Sequence, residues 1–336
     1  MKKSLGYNIF RLYKTFQFAL VAKNNRIRNM AEKMEEKQAE HNYLEVNGDF
    51  RMRELDKSDL DQFNALLQYA FQITTKELFE TGWAQDEIKY AKRPILEEAY
   101  VIGWFYKNRL ASMIVVYNMK MNVYDNIMDM GGITGVATYP EYAGRGLIHS
   151  LVRRVLSYMN KQELPISFLC PYSIPFYRKM GWEICSDKLS FNVKDTQLPK
   201  PRPVTGMVER VSLDSEDYHN VHNYFAYQRH GCMIRDALSW EEYWRWDNDD
   251  MIAAVYYSTE HKPLGYVVYY IANEIFYIKE MVYLNLEANY GLWNYISAHF
   301  SMVTQVKGNN FSGEPMAYLF EDSEITETIE PYIMGR

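Results

Sequence analysis

The chain has 336 residues, of which 48% are hydrophobic and 24% are charged, and it contains 17 Gly and 11 Pro. This composition excludes collagen-like, low-complexity and disordered proteins, and the length favours two domains. The 37 Lys and Arg residues against 43 Asp and Glu give a net charge of −6, which argues against a general nucleic-acid binder and favours small-molecule partners.

The cysteine content indicates the compartment in which the protein works. Cys170, Cys185 and Cys232 have spacings that fit neither a disulfide framework nor a zinc site. A small, odd number of thiols is typical of proteins from a reducing environment. We therefore expect a cytoplasmic protein.

The N-terminal segment is basic. Residues 1–30 carry seven Lys or Arg residues and no acid. Arg11 and Lys14 interrupt the apolar stretch from Leu5 to Ala22, so we predict neither an export signal nor an integral membrane segment. Such a segment can lie on an anionic membrane surface, and a solvated extension is the simpler alternative. We treat residues 1–45 as a basic N-terminal extension.

The pattern of residues 46–196 predicts an α/β domain built on a mixed sheet. Two β-rich runs separated by Lys107-Asn108-Arg109 predict a hairpin, and apolar residues at helical spacing predict a crossover helix after the next strand. The predicted elements in chain order are a strand at 50–55, a helix at 60–71, strands at 100–105, 110–117 and 130–138, a helix at 147–159, a strand at 166–169 and a helix at 176–180.

The loop before the crossover helix contains Gly144, Arg145 and Gly146. A glycine turn that opens a helix leaves unpaired N–H groups at the positive end of the helix dipole, where a phosphate can bind. A plain strand-to-helix turn would use the same glycines. The arginine between them favours an anion site.

Residues 197–205 include three prolines and predict a linker between two domains. Residues 206–330 partly repeat the first domain, as a strand, a Tyr- and His-rich helix, a hairpin, a strand and a helix. The predicted strands are 207–211, 251–257, 264–271 and 276–284, and the last helix is 291–303. Residues 284–290 stand where the first copy has its glycine loop, so we predict the anion site in the first copy alone.

The segments Val136-Ala137-Thr138 and Arg145-Gly146-Leu147, followed by the run from Phe176 to Trp182, resemble the coenzyme A motif and closing strand of the GNAT acetyltransferase superfamily. The resemblance is closest to its enhanced-intracellular-survival (Eis-like) branch and covers residues 50–336. It implies two tandem GNAT-like domains, the second degenerate, then a sterol-carrier-like domain. It also implies a homo-oligomer.

The resemblance implies a site for acetyl-CoA in the first domain. Val136, Ala137 and Thr138 would pair through their main chain with the pantetheine arm, as an added strand would. The residues implied to line the pyrophosphate are Ala143, Gly144, Arg145, Gly146, Leu147 and Ile148. Ala143 and Ile148 depart from the family pattern, but most of this cradle is backbone.

Tyr177 falls on the tyrosine that, in the family, protonates the departing coenzyme A thiolate. A phenol suits this task because it releases its proton only as the thiolate forms. The structural alternative is a helix tyrosine packed beneath Trp182.

Acetyl transfer to an amine also needs a base, and the sequence names none. The resemblance implies that, in Eis-like enzymes, the C-terminal carboxylate of the sterol-carrier-like domain reaches into the cleft. Residues 331–336 look like the first strand of such a domain, truncated, and we expect the apolar run Tyr332-Ile333-Met334 to lack strand partners.

The histidines near Cys232 suggest a metal at first sight. His219, His222 and His230 are nevertheless surrounded by Tyr and Asn residues, which favours surface or capping roles, and we predict no metal site.

Two further groups have a structural alternative to a binding role. The aromatic residues Trp240, Tyr243, Trp244 and Trp246 resemble a cage for a cation, but their spacing favours packing of one helix face. The acids after Gly308 can attract a polycationic acceptor or form a solvated face.

These features together favour an N-acetyltransferase that uses acetyl-CoA on a primary amine of an aminoglycoside-like or polyamine acceptor. The alternative is a catalytically inactive acyl-CoA-binding or assembly module, which the departure at Ala143 and the expected truncation leave open.

Overall fold

The computed structural model of the chain describes residues 49–74, 90–244, 251–310 and 316–336, apart from the side chains of Tyr243 and Trp244. The extension predicted for residues 1–45 lies outside the described residues, and so does Trp246. Residues 51–336 belong to one compact unit.

Within the part of the chain that the structure describes, every helix is too short or too polar to cross a bilayer.

The described residues form one mixed sheet of 13 strands, so the predicted α/β class with a mixed sheet is confirmed. The strands are β1 Phe50–Glu54, β2 Tyr100–Tyr106, β3 Arg109–Val123, β4 Asn126–Thr138, β5 Ile166–Leu169, β6 Glu183–Lys194, β7 Met207–Val211, β8 Met233–Ile234, β9 Ile252–Tyr257, β10 Pro263–Ala272, β11 Ile275–Tyr283, β12 Gln305–Asn310 and β13 Thr326–Gly335. Their order is β1-β2-β3-β4-β5-β13-β6-β12-β11-β10-β9-β7, with β8 paired to β3.

Seven α-helices lie in the described part of the chain. They are α1 Leu60–Phe71, α2 Arg93–Glu98, α3 Leu147–Lys161, α4 Ile174–Arg178, α5 Glu216–Tyr227, α6 Ala237–Trp244 and α7 Leu286–Ser297. The predicted crossover helix is confirmed as α3, which buries one apolar face. The helix predicted at 291–303 instead begins at Leu286, because the Asn285 side chain accepts the Ala288 N–H and caps it.

The hairpin predicted around residues 107–109 is confirmed. Lys107 and Asn108 have φ of 45° and 66°, the left-handed conformation of a tight hairpin turn. The next strands, β3 and β4, are longer than predicted and meet in a second turn at Tyr124 and Asp125, whose φ angles are 48° and 64°. Their pairing makes a long arm that β8 extends, since Lys120 and Met121 of β3 pair with it.

The expectation that Tyr332-Ile333-Met334 lacks partners is wrong. These residues lie in β13, which is antiparallel to β6 along its length and to β5 at Met334 and Gly335. Met334 is fully buried. The boundary predicted between residues 330 and 331 falls inside this strand, which inserts between two strands of the first half of the chain.

Four apolar clusters cover the two faces of the sheet. In the first half, residues 51–196, α3 and α4 pack on one face and α1 on the other. In the second half, residues 206–336, α7 packs on one face and α5 with α6 on the other. Phe191 and Val193 of β6 lie in the second half's core, so β6 connects the two halves directly.

The predicted linker, 197–205, lies along the second half. The Arg202 N–H donates to Asn294 Oδ1 at 2.9 Å, and the Asn294 amide donates to the Arg202 carbonyl at 2.7 Å. Lys200 pairs with Glu321 at 2.9 Å. These bonds hold the segment against α7 and the residues after β12.

Candidate active site

The sheet of the first half splits between β4 and β5. The two strands pair in parallel from Met130 to Gly132 of β4, opposite Ile166 to Phe168. β4 then continues to Thr138, and the described residues contain no ladder pairing to β5 along this last part. The split leaves a main-chain edge to which an extended ligand can add as a strand.

A bulge bends β4 at the start of the split. The register with β3 shifts between Met113 and Val115, and Gly135 at the shift has a φ of 56°. A Cβ on Gly135 would lie 2.7 Å from Val115 Cγ2, so a side chain does not fit there. The bulge turns the following residues away from β5.

The structure places the predicted Val136, Ala137 and Thr138 on the free edge. Ser112 of β3 anchors this part of β4, because its hydroxyl donates to the Ala137 carbonyl at 3.1 Å and lies 2.7 Å from Thr138 Oγ1. The anchoring leaves the side toward the split available, which fits a pantetheine arm paired to the main chain.

The glycine loop leads from this edge to the first turn of α3. Gly144 and Gly146 have φ of 73° and 74°, where glycine is favoured, and a Cβ on either would meet none of the described atoms within 4 Å. Among the described residues, no side chain caps the helix. The first N–H groups of α3 can therefore bind an anion.

The other predicted cradle residues lie in the same loop and turn. Ala143 and Arg145 are exposed, Ile148 is half-buried, and Leu147 is buried and anchors the helix. Ser150 fixes this turn by donating to the Leu147 carbonyl and accepting from Trp104 Nε1, each at 2.8 Å. These contacts fix the first turn of α3 in place next to the glycine loop.

Tyr177 lies on α4, and only 4% of its side chain is exposed. Its ring contacts Phe176, Tyr172 and Trp182 edge to face, with centroids 5.1, 5.8 and 6.5 Å apart. The predicted packing near Trp182 is therefore present. Among the described residues, none forms a hydrogen bond to its hydroxyl, which leaves the proton available for another group.

The environment of Tyr177 keeps it protonated. Burial raises the pKa of the phenol well above its ordinary value, and the neighbouring Tyr172 and Cys170 raise the pKa further. A phenol with a raised pKa is neutral at physiological pH, so Tyr177 still carries the proton that a departing thiolate takes up, and the raised pKa also makes it a weaker acid. The described residues bring no carboxylate or imidazole into hydrogen-bond contact with it, so the base stays unassigned.

The equivalent position in the second half is closed by the chain itself. The Asn285 side chain caps α7, and Glu287 Oε1 accepts from the Thr205 N–H at 2.7 Å and hydroxyl at 2.6 Å. The Tyr256 hydroxyl donates to the same carboxylate oxygen at 3.1 Å. A carboxylate and a cap thus occupy the helix start that would receive an anion.

The histidines of the second half serve separate structural contacts. His222 is buried, and its ring nitrogens lie 3.1 Å from the Tyr266 hydroxyl and 3.1 Å from the Met233 carbonyl. His219 stacks on Trp240 at 4.0 Å, and His230 stacks on Tyr124 at 3.9 Å.

Trp240 of the predicted aromatic cage is 7% exposed and packs inside the second half. The cation over its ring is Arg235, whose guanidinium carbon lies 4.5 Å from the ring centroid. For this residue the packing alternative is confirmed.

An ion pair that the sequence analysis missed lies in the second half. Arg235 donates to both carboxylate oxygens of Glu280, at 2.9 and 2.8 Å, and the Tyr266 hydroxyl donates to the same carboxylate at 2.8 Å. Burial alone would raise the pKa of Glu280, but the charge and hydrogen bonds of Arg235 outweigh burial and lower it. The pair is therefore charged inside the fold.

Residues 51–185 match a family model of the acetyltransferase (GNAT) domain, and residues 231–336 match a second model with the same description. A search of curated proteins finds no match.

Several solved structures are similar. One is a conserved protein of unknown function from Enterococcus faecalis V583, described as a probable N-acyltransferase, with a TM-score of 0.76, 28% identity, and coverage of 85% of this chain and 72% of that chain. A GCN5-related N-acetyltransferase from Anabaena variabilis ATCC 29413 has a TM-score of 0.74, 20% identity, and coverage of 85% and 72%. Eis1 from Mycobacterium abscessus has a TM-score of 0.69 and 17% identity, and the match covers 85% of this chain and 73% of that chain.

The last two structures share the fold at low identity, so the narrower Eis-like assignment stays a prediction. The family matches reach across both halves of the sheet, and the first of them contains the split, the glycine loop and Tyr177. The chain therefore contains two tandem GNAT acetyltransferase domains, one at residues 51–185 and the other at residues 231–336.

Proposed function

We propose that the chain is an N-acetyltransferase that moves an acetyl group from acetyl-CoA to a primary amine. The observation that carries the proposal is the free edge of β4, which leads directly to the start of α3, and Val136, Ile148 and the buried Tyr177 belong to one apolar cluster. An extended thiol arm and a pyrophosphate need these two features in this order.

The chemistry assigns one role to each group. The amine nitrogen forms a bond to the thioester carbon, and the bond from that carbon to sulfur breaks. Tyr177 gives its proton to the departing thiolate and regains one from solvent. The nitrogen loses a proton to a base that stays unassigned among the described residues.

A thiol-release assay tests the proposal. The chain is incubated with acetyl-CoA and a panel containing spermidine, kanamycin and lysine, and free thiol is measured. Amine-dependent release supports the enzyme. Tight binding of acetyl-CoA with no release for any amine would instead support an inactive acyl-CoA-binding module.

We include spermidine and kanamycin because of the acids after Gly308, although several of these acids have partners within the fold. Glu321 pairs with Lys200, Glu330 pairs with Lys188 at 3.2 Å, and Glu327 accepts from the Ala317 N–H at 3.3 Å. The electrostatic support for a polycationic acceptor is therefore smaller than the sequence suggests.

Acetyl-CoA is expected to bind at one site per chain. The first domain offers an open helix start, whereas Asn285 and Glu287 fill the equivalent position in the second. Isothermal titration calorimetry should give a stoichiometry of one. A stoichiometry of two, or hydrogen-exchange protection of α7 on binding, would contradict the prediction.

Gly146→Ala is expected to weaken acetyl-CoA binding about tenfold, equivalent to about 1.4 kcal/mol. An L-residue at a φ of 74° has a backbone strained by about 1–2 kcal/mol, so we expect the turn to shift. The shift would turn its N–H groups away from the bound pyrophosphate. The added methyl group also enters the space of the cradle. Calorimetry measures the affinity.

Gly231→Ala is the matched control, because Gly231 has a φ of 78° in open space at the far end of the β3–β4 arm. Both variants should lose similar stability. Equal acetyl-CoA affinities in the two variants would show that Gly146 is an ordinary turn glycine.

A further inference from the structure

β13 extends past the end of β5 at the split. Met334 of β13 lies opposite Leu169, the last residue of β5, and the chain leaves the sheet at Cys170. Toward its N-terminal end β13 continues alongside β6, and the described residues place no further strand on its other side. The second domain thus contributes a strand edge to the opening of the split, which we call the mouth: the ends of β4 and β5 and the adjacent part of β13.

Tyr332 is the extra residue of a bulge in this edge. Pro331 pairs with Asp187 and Ile333 with Ser186, so two consecutive residues of β6 face three of β13. A β-bulge re-aims the side chain of its extra residue, and bulges are common beside active sites. This bulge lies close to the point where β5 ends.

The surroundings of Tyr332 connect it to Tyr177. Burial raises the pKa of the Tyr332 phenol most, Cys170 and Glu280 raise it further, and Arg235 lowers it. Leu169, which lies opposite Met334, is followed directly by Cys170, and the ring centroids of Tyr172 and Tyr177 are 5.8 Å apart, so the bulge of β13 and Tyr177 lie at the same end of β5. Lys188 Nζ lies 5.9 Å from the Tyr332 ring centroid, and the side chain is half-buried.

We propose that Tyr332, a residue of the second domain, is an acceptor-binding residue of the first domain's site. Its neutral hydroxyl accepts a hydrogen bond from the ammonium or hydroxyl group that flanks the reacting amine, and its ring forms one wall of the mouth. The proposal rests on the proposed N-acetyltransferase function. It gives the second domain a direct role in choosing the acceptor.

Steady-state kinetics with spermidine as the probe test the proposal. Tyr332→Phe keeps the ring and removes the hydroxyl, so the KM for spermidine should rise about fivefold, as expected when one hydrogen bond is lost. The kcat and the KM for acetyl-CoA should stay close to those of the wild type. A merely structural role would lower kcat or thermal stability without this separation.

Tyr318→Phe is the matched control, because Tyr318 is 86% exposed and lies outside β13. A raised spermidine KM in Tyr332→Phe alone supports the proposal. An unchanged KM in a folded Tyr332→Phe protein, with active wild type, overturns it and leaves the proposed function standing. If the wild type binds acetyl-CoA but neither acetylates nor binds spermidine, this proposal is overturned. If the wild type acetylates no amine of the panel, this proposal and the proposed function are both overturned.

Discussion

Tyr177→Phe is expected to lower kcat for acetyl transfer by roughly 10²-fold or more, the range of a general-acid contribution. The substitution removes the hydroxyl from a ring held by Phe176, Tyr172 and Trp182, so the packing of α4 should persist. Acetyl-CoA binding should be nearly unchanged, because the β4 edge and the α3 turn stay in place. Kinetics at saturating acetyl-CoA and calorimetry measure the two quantities.

Tyr158→Phe is a suitable control, since Tyr158 stacks on Tyr100 of β2 with ring centroids 3.7 Å apart, near the end of α3 that is away from the glycine loop. Its kcat should match that of the wild type. Unchanged turnover in a folded Tyr177→Phe protein would show that water or another group protonates the thiolate.

The raised pKa of Tyr177 has a consequence for the pH profile. A raised pKa means that the proton stays bound beyond the pH at which an ordinary tyrosine loses it, about 10. Loss of activity below that pH should therefore not come from Tyr177. Identical alkaline limbs for the wild type and the residual activity of Tyr177→Phe would agree with this assignment.

Arg235→Met is expected to lower the free energy of unfolding by roughly 3–5 kcal/mol, because it leaves a buried carboxylate without its counter-charge. Arg235 and Glu280 are only 7% and 9% exposed, so water cannot replace the lost partner. Arg235 also follows β8 directly, and β8 holds the β3–β4 arm. Urea unfolding followed by circular dichroism measures the change.

Two further variants make this prediction specific. Arg235→Met with Glu280→Leu removes both charges and should recover much of the loss. Lys200→Met breaks the exposed pair with Glu321 and should cost about 1 kcal/mol or less. A small loss for Arg235→Met, similar to that for Lys200→Met, would contradict a charged pair in the core.

Local patterns in the sequence predicted the parts of the fold that local physics determines. The apolar spacing of Leu151, Val155 and Met159 predicted α3, and the positive φ of Gly144 and Gly146 is what a tight turn into a helix requires. The candidate site lies largely on one such stretch, from β4 to α3. For this reason its main-chain features could be anticipated.

Local patterns did not predict which distant strands pair with each other. Cys185 and Ile333 lie side by side although 148 positions separate them in sequence, and nothing near Tyr332 indicates that its partners are β5 and β6. The Arg235–Glu280 pair was also missed. Glu280 falls on the buried side of β11, between Ile278 and Val282, and a charge in that alternation was the available signal.

The insertion of β13 affects how the protein is made. A ribosome delivers the N-terminal domain first, and domains usually fold as they emerge. Here the place between β5 and β6 stays vacant until residues 326–335 have left the exit tunnel. The nascent first domain therefore waits for nearly the whole second domain, and the part of the candidate site beside β13 forms late in synthesis.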